Sequence, residues 1–532
     1  MKKAIFPIAL ALTLAIGILL GHLMTNNAQT YTVLNQQTHK DAGNKVTELL
    51  EILSEAYVDS LEMDSIAESI VPLIMQQLDP HSVYISSQDI QAVSDELSAS
   101  FVGIGIQYNM MTDTVYIVNI IKGGPSEKAG LLPDDKILMV DTFNLAGQKR
   151  SNNFVQSHIK GEKGTVAHLT VQRPNVDSLL HINVTRDDII SKSIDASYMI
   201  DDVIGYVNIS KFSESTYKEF LHSLASLKRA GMKKLIIDLR GNGGGYMEPA
   251  VNMLNELVRN NTLLVYMEGN KTKRREWIAN GSGSSINTKL IVLIDEFSAS
   301  ASEIFAGAIQ DNDRGLIVGR RSFGKGLVQT EFPFRDGSAV RMTIARYYTP
   351  SGRCIQKPYT MGKSEDYAAD ILNRYMHGEF FHADSIHQND STIYHTVGGR
   401  TVYGGGGIMP DIFVPRDTSK FTPYSHLILN NSLHYKFSRQ HLAQHRNEYQ
   451  TLKNGAEMEK YLLSHHIMDE FFDYCDKNDL PLYKKDYEIY KDLIVSMVIG
   501  QIIRNYFDDN EYYIYVNKTD ETVLKAIELF KQ

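Results

Sequence analysis

Lys234-Leu235-Ile236-Ile237-Asp238-Leu239 runs into Arg240-Gly241-Asn242-Gly243-Gly244-Gly245, and a helical pattern with Val251, Leu254, Leu257 and Val258 on one face follows. An apolar run bounded by glycines reads as a buried strand, and the change to helical spacing makes the whole a strand-turn-helix unit. Its glycines permit a tight turn. Such a turn exposes backbone N–H groups just ahead of a helix N-terminus, where a phosphate or a developing oxyanion is stabilised by donors and dipole. Taken alone, a plain glycine turn reads the same way.

The alternation extends from Ile204 to Tyr348 and predicts a layered α/β core. Strand Leu290 to Ile294 leads through Asp295-Glu296-Phe297 to Ser298-Ala299-Ser300-Ala301-Ser302-Glu303, opening a helix with Ile304, Phe305, Ala308 and Ile309 on one face. Ser300 and Glu303 have the spacing of a capping box. A catalytic serine here would need a base, and no Gly-x-Ser-x-Gly elbow points to a histidine triad.

A strand at Leu316 to Val318 enters Gly319-Arg320-Arg321-Ser322-Phe323-Gly324-Lys325-Gly326. The spacing is nearly that of a phosphate-binding loop, but Gly326 stands where Ser or Thr would hold magnesium, and a strand rather than a helix follows. Ser322-x-x-Lys325 mimics a penicillin-binding motif without its Lys-Thr-Gly partner. A neutral Lys325 would serve as base, which requires its pKa to fall from about 10.4. Gly324 and Gly326 allow close packing, Phe323 and Leu327 are apolar, and no acidic residue lies within several positions. In an extended segment Gln329 shares the face of Lys325 and could orient its amine. A solvated loop lysine is the plainer alternative.

Before this core, apolar residues at helical spacing (Val46, Leu49, Leu50, Leu53; Ile66, Ile70, Leu73, Ile74) predict two helices closing at Leu78-Asp79-Pro80-His81-Ser82. Asp79 and His81 suggest a triad with Ser300, but the segment reads better as a turn. Short β-rich runs fill the next 90 or so residues from Ser100. Beyond Asp417 the pattern is helical, with the apolar run Leu493 to Ile499 fit for burial in the core or in a dimer contact. His441 and His445, and adjacent His465 and His466, could bind metal; without a His-Glu-x-x-His motif or thiolates they read as a solvated helix face.

At 532 residues the chain should hold about three or four domains. Its 43% hydrophobic and 22% charged residues are those of a globular protein, and a net charge of −9 without a basic run argues against nucleic acid. Two cysteines, Cys354 and Cys475, make no disulfide framework. Lys2 and Lys3 precede an apolar stretch from Ala4 to Leu20 that reads as an export signal or an anchor, its length favouring an anchor with the remainder outside.

Leu78-Asp79-Pro80-His81-Ser82, Asp238-Leu239-Arg240-x-Asn242-x-Gly244-Gly245, Ser298-Ala299-Ser300-Ala301-Ser302-Glu303-Ile304, Gly324-Lys325-Gly326 and Tyr348-Thr349-Pro350-Ser351-Gly352-Arg353 together resemble the C-terminal processing (tail-specific) proteases, peptidase family S41. The resemblance covers roughly residues 40–415, closing at Gly405-Gly406-Gly407-Ile408-Met409-Pro410-Asp411. By position Ser300 resembles the nucleophile, Lys325 the general base and Gln329 the orienting residue. Backbone N–H groups of Gly244 and Ala301 resemble the oxyanion hole, the glycine run leaving Gly244 and Gly245 both as candidates. Gly103-Ile104-Gly105-Ile106 resembles a PDZ carboxylate loop, whose N–H groups receive a terminal carboxylate beside a strand edge.

The resemblance implies an α+β multidomain fold. Residues 1–25 would be the signal or anchor, 30–98 an N-terminal helical region, and 99–187 a PDZ domain of β-sandwich or barrel-like form. Residues 188–415 would be a layered α/β (ClpP/crotonase-like) protease core, and 416–532 a helical C-terminal region. It implies a serine endopeptidase with a Ser-Lys dyad, needing no cofactor or metal, whose PDZ domain captures unstructured C-terminal tails of exported or membrane proteins and moves between blocking and opening the site. The expected place is the periplasmic side of the inner membrane, with a homodimer or an adaptor as further partners. An inactive PDZ scaffold is the alternative, against which intact Ser300, Lys325 and Gln329 argue.

Overall fold

The structure, a computed structural model, describes residues 43–98, 100–110, 113–174, 176–386 and 393–532. The expected signal or anchor at 1–25 lies outside the described residues, and among these no helix is long and apolar enough to cross a membrane. Two compact units divide the chain at Met75. In the first, helices Gly43–Ala56 and Met63–Met75 follow the predicted apolar spacing.

The second unit begins with the Asp79 turn and then a β-rich domain. Strands Ile106–Asn109, Val115–Ile120, Lys136–Val140, Val166–Gln172 and Leu180–Thr185 form one antiparallel sheet in that order. Ile104, Ile117, Ile137, Val155, Leu169 and Val184 fill its core together with helix Asn152–Ile159. The chain enters and leaves this domain along a two-stranded antiparallel ribbon, Ser100–Gly103 against Asp187–Ile190.

A six-stranded sheet carries the core: β1 (Ile194–Met199), β2 (Ile204–Ile209), β3 (Lys234–Asp238), β4 (Lys289–Ile294), β5 (Leu316–Gly319) and β6 (Ile412–Phe413), in spatial order. β1 is antiparallel to β2 and the rest are parallel. Parallel strands covered on both faces read as continuous apolar runs, which is why β3 and β4 are legible in the sequence. The pleat sorts them. Leu235, Ile237, Leu290, Val292 and Ile294 face helices α1 (Thr216–Arg229), α2 (Met247–Leu257) and α3 (Ala301–Asp311). Ile236, Ile291, Leu293 and Tyr206 face the other way, where Val523, Ala526 and Phe530 of the last helix cover them.

A second sheet aligns Val83–Ile85, Ala339–Tyr348, Leu263–Glu268 and Arg275–Ile278, with Leu327–Pro333 pairing against Ala339–Tyr348. Helices α4 (Leu433–His445) and α5 (Ile467–Asp476) belong to a bundle with its own apolar core, including Ile494, Val498 and Ile499 of the run noted above. α6 (Glu521–Lys531) leaves that bundle for the core sheet. His441 departs from the expected solvated face: it is 5% exposed, packed among Phe437, His445 and Tyr449. His465 stays at the surface and stacks on Tyr461.

Candidate active site

Three turns leave the carboxyl ends of the adjacent parallel strands β3, β4 and β5, so topology alone brings them together. Hydrogen bonds then stitch them. Ala299 N–H and Ser302 Oγ donate to the Asn242 carbonyl at 3.0 and 2.9 Å. Ser298 Oγ donates to the Leu239 carbonyl at 2.8 Å, and Phe323 N–H to the Ser298 carbonyl at 3.0 Å.

Ser300 caps the start of α3 with φ 56° and ψ −113°. A serine held at positive φ stores on the order of 1–3 kcal/mol of strain, tolerated when its surroundings over-determine it. The close partner is Gly244, at φ 103°: a Cβ there would lie 2.7 Å from Ser300 Cβ and 3.1 Å from Ala301 N. The turn is therefore a strained elbow whose permissive glycine sits in a different motif, and a search for flanking glycines misses it. The Gly244 N–H donates to Asn242 Oδ1 at 2.8 Å. Ala301 is the first residue of α3, where the helix dipole favours negative charge.

Glu303, fully buried, accepts four hydrogen bonds. Ser300 N–H and Lys325 N–H reach its Oε2 at 2.9 and 2.8 Å; Ser322 Oγ and Gly324 N–H reach its Oε1 at 2.5 and 2.7 Å. The Ser300 bond is the carboxylate half of the predicted capping box. The other three join the Ser300 turn to the lysine loop. Burial pushes the Glu303 carboxyl up, against the pull of these donors.

Burial also pushes the Lys325 amine below its ordinary 10.5, and Arg341 adds to this, while Glu303 and Asp79 act the other way. The sequence shows no acidic neighbour for Lys325; folding supplies two. Among the described residues the Lys325 amine makes no hydrogen bond or ion pair, and the Gln329 amide nitrogen is buried without a partner. The hydrogen bond expected from spacing between Gln329 and Lys325 is thus not formed.

Asp79 is 8% exposed. It accepts from His81 N–H (3.0 Å), Thr343 Oγ1 (2.9 Å) and Ser82 Oγ (2.5 Å), fastening its turn to strand Ala339–Tyr348. His81 Nε2 pairs with the Tyr367 hydroxyl at 3.0 Å rather than with Ser300. The imidazole is pushed down to about 4, first by burial and next by Lys325, with Asp79 opposing. The turn is a buried wall of the lysine site. Nothing in its local sequence points there. On the far side Gln356 Oε1 accepts from Gly326 N–H at 2.8 Å.

In the β-rich domain Gly105 sits at φ 77°, a conformation that favours glycine, and a Cβ there would also lie 2.9 Å from Ile189 Cδ1. The Ile104 carbonyl accepts from Ser126 N–H (3.0 Å) and Oγ (2.6 Å), and the Gly105 carbonyl from Ile121 N–H (3.1 Å). Ile104 N–H and Gly105 N–H make no backbone hydrogen bond among the described residues, which leaves a pair of donors for a carboxylate. Gly103 is in the entry ribbon, and the side chains of Ile104 and Ile106 are buried in the domain core.

Comparison with known proteins matches the model of peptidase family S41 to residues 203–368, a PDZ domain to 102–184, and a family of unknown function to 424–508. The chain is 31% identical to carboxy-terminal processing protease CtpA of Bacillus subtilis over 362 residues, 67% of this chain and 77% of that protein. It is 32% identical to a carboxy-terminal-processing protease of Bartonella bacilliformis over 360 residues, 67% and 80% of the two. CtpB of Bacillus subtilis is 33% identical over 322 residues, which are 59% of this chain and 66% of that protein. Among solved structures, the photosystem II D1 C-terminal processing protease matches at 27% identity, covering 58% of this chain and 89% of that one, with a TM-score of 0.34.

Proposed function

Because the chain belongs to peptidase family S41, with carboxy-terminal processing serine peptidases among its relatives and a PDZ domain in place, we propose that it cleaves proteins with exposed C-terminal tails through a Ser300–Lys325 dyad. The observation that carries the dyad is the Glu303 carboxylate, which holds the nucleophile turn and the loop of a half-buried, unpaired lysine together. Ser300 Oγ attacks the scissile carbonyl. The Lys325 amine takes its proton and returns it to the leaving amine. Ala301 N–H and the Gly244–Gly245 turn stabilise the tetrahedral oxygen, once Gly244 N–H exchanges Asn242 for the oxyanion or Gly245 N–H substitutes for it. Glu303 and Asp79 raise the affinity of Lys325 for its proton, so they favour the lysinium that forms with the intermediate.

In this reading Ile104 N–H and Gly105 N–H receive the tail carboxylate, and the domain swings to admit or block the passage. Gln329 orients Lys325 only after a side-chain adjustment that pairs its buried amide. The apolar segment after Lys2 and Lys3 supports an inner-membrane anchor with the protease on the periplasmic side.

The test incubates wild type, Ser300→Ala and Lys325→Ala with a disordered reporter ending in apolar residues, followed by intact mass over roughly pH 6–10. Cleavage by wild type alone, rising with an apparent pKa below 10.5, is expected. Full activity in Lys325→Ala would overturn the base. Binding without cleavage by all three forms would favour a peptide scaffold.

A further inference from the structure

α4 carries His441 and His445 one turn apart, on one helix face, with ring centroids 4.6 Å apart. Glu470 arrives from α5, its Oε2 3.0 Å from His441 Nδ1. The ligand atoms of the three residues all lie within 4.8 Å of one another. Each imidazole is also held from outside the cluster. The Tyr449 hydroxyl bonds His441 Nε2, and Glu448 Oε1 lies 2.9 Å from His445 Nδ1, leaving His445 Nε2 without a hydrogen bond among the described residues. A ring fixed through one nitrogen and offering the other is the arrangement of metal-ligating histidines and their supporting oxygens.

We propose that His441, His445 and Glu470 form a site for a divalent transition metal of the zinc class, with the fourth position open to water. Two imidazoles and one carboxylate suit that class better than magnesium or calcium, which prefer oxygen shells. Tetrahedral zinc places its ligand atoms ~3.4 Å apart. The contraction falls on His445 and Glu470, whose side chains are 34% and 47% exposed, while buried His441 stays fixed. On binding, the His441 ring proton sits on Nε2, where it is donated to the Tyr449 hydroxyl, freeing the Nδ1 lone pair for the metal; no proton is lost from the ring and nothing is oxidised or reduced.

The site has no role in peptide hydrolysis. It ties α4 to α5. Two residues before His441, Arg439 of α4 reaches Asp134 Oδ1 (3.2 Å) in the PDZ domain, so the metal steadies the helix against which that domain rests.

The experiment strips the full chain with a chelator, dialyses it against micromolar zinc, and counts metal by elemental analysis. One zinc per chain is expected, with a higher unfolding midpoint than the stripped protein and a tetrahedral-type absorption spectrum when cobalt(II) replaces zinc. His445→Gln and Glu470→Gln, with folding verified by circular dichroism, each weaken zinc at least ~100-fold, and Glu448→Gln weakens it about 10–100-fold. Absence of bound zinc, an octahedral cobalt spectrum, or unchanged affinity in both ligand variants overturns the site; the first two readings need no variant.

Discussion

The backbone N–H groups of Ser300 and Lys325 donate to the same atom, Glu303 Oε2, at 2.9 and 2.8 Å. A displacement of either loop is therefore felt by the other through one buried carboxylate. Under the proposed dyad Glu303 is a positioning residue with an electrostatic signature, since its charge raises the pKa of Lys325. In Glu303→Gln the amide keeps the size but loses the charge and half the acceptor capacity. We expect a stability loss of about 1–3 kcal/mol and a pH–rate profile displaced to lower pH. An unmoved profile with reduced rate would assign Glu303 a purely structural part.

Lys325 itself links activity to stability with opposite signs. Its folded pKa lies below 10.5, so the unfolded chain binds the proton more tightly. The folded state is penalised at neutral pH, and the penalty fades as pH rises towards 10.5. Lys325→Met should lose about 10²–10⁴-fold in cleavage rate while melting at or above wild type near neutral pH. Its advantage should shrink in melts taken near the ordinary lysine value.

His81 gives the acid side. Its folded value near 4 lies below the ordinary 6.5, so stabilisation from the neutral ring is whole above 6.5 and is lost as pH falls towards 4. The contribution is at most about 3 kcal/mol. His81→Gln should flatten the dependence of unfolding free energy on pH across that window, measured by denaturant titration. An equally steep fall in the variant would move the acid sensitivity elsewhere.

Asp520 caps α6 by accepting from Val523 N–H at 2.9 Å and holds Arg240 Nη1 through both carboxylate oxygens at 3.0 and 2.9 Å. Asp520→Ala removes both, at a cost of about 1–3 kcal/mol. Limited proteolysis should then cut near residue 520 before the core opens. Unaltered protease resistance would mean that Val523, Ala526 and Phe530 hold the helix without its cap.

Arg439→Ala removes the PDZ-facing contact with Asp134. A partly exposed ion pair contributes about 0.2–1 kcal/mol, enough to shift a domain equilibrium several-fold. Faster hydrogen exchange in Val115–Ile120 and a larger radius of gyration are expected from scattering. Identical scattering curves would argue that the domain is held by other contacts.

The core was legible because strands such as Lys234–Asp238 are buried on both faces and separated by amphipathic helices. The cover of Ile291 and Leu293 by Phe530 was not, because nothing local to either segment records the other. Ser300 and Lys325 stood out through motifs. Glu303 was readable only as a cap, since three of its four donors come from the loop at 322–325. Lys325 has no acidic neighbour along the chain, and only the fold brings the charges of Asp79 and Glu303 to bear on it. Spacing puts His441 on a helix face because residues four apart share one, and only the packing of the bundle decides which face is wet.

The paired ribbon of Ser100–Gly103 and Asp187–Ile190 sets the mechanics of the PDZ domain. A domain on two separate linkers explores a cloud whose size grows with linker length. A domain joined to the core by one hydrogen-bonded strap, once its Asp134 contact with Arg439 is released, would turn about that strap like a gate on a post, with a swing and little reach. Under the proposed function, a chain end gripped by it would travel on an arc of fixed radius, so its local concentration at Ser300 would be governed by angle instead of by tether length. On that proposal the spacing between a gripped end and the first cut would be a ruler built into the fold.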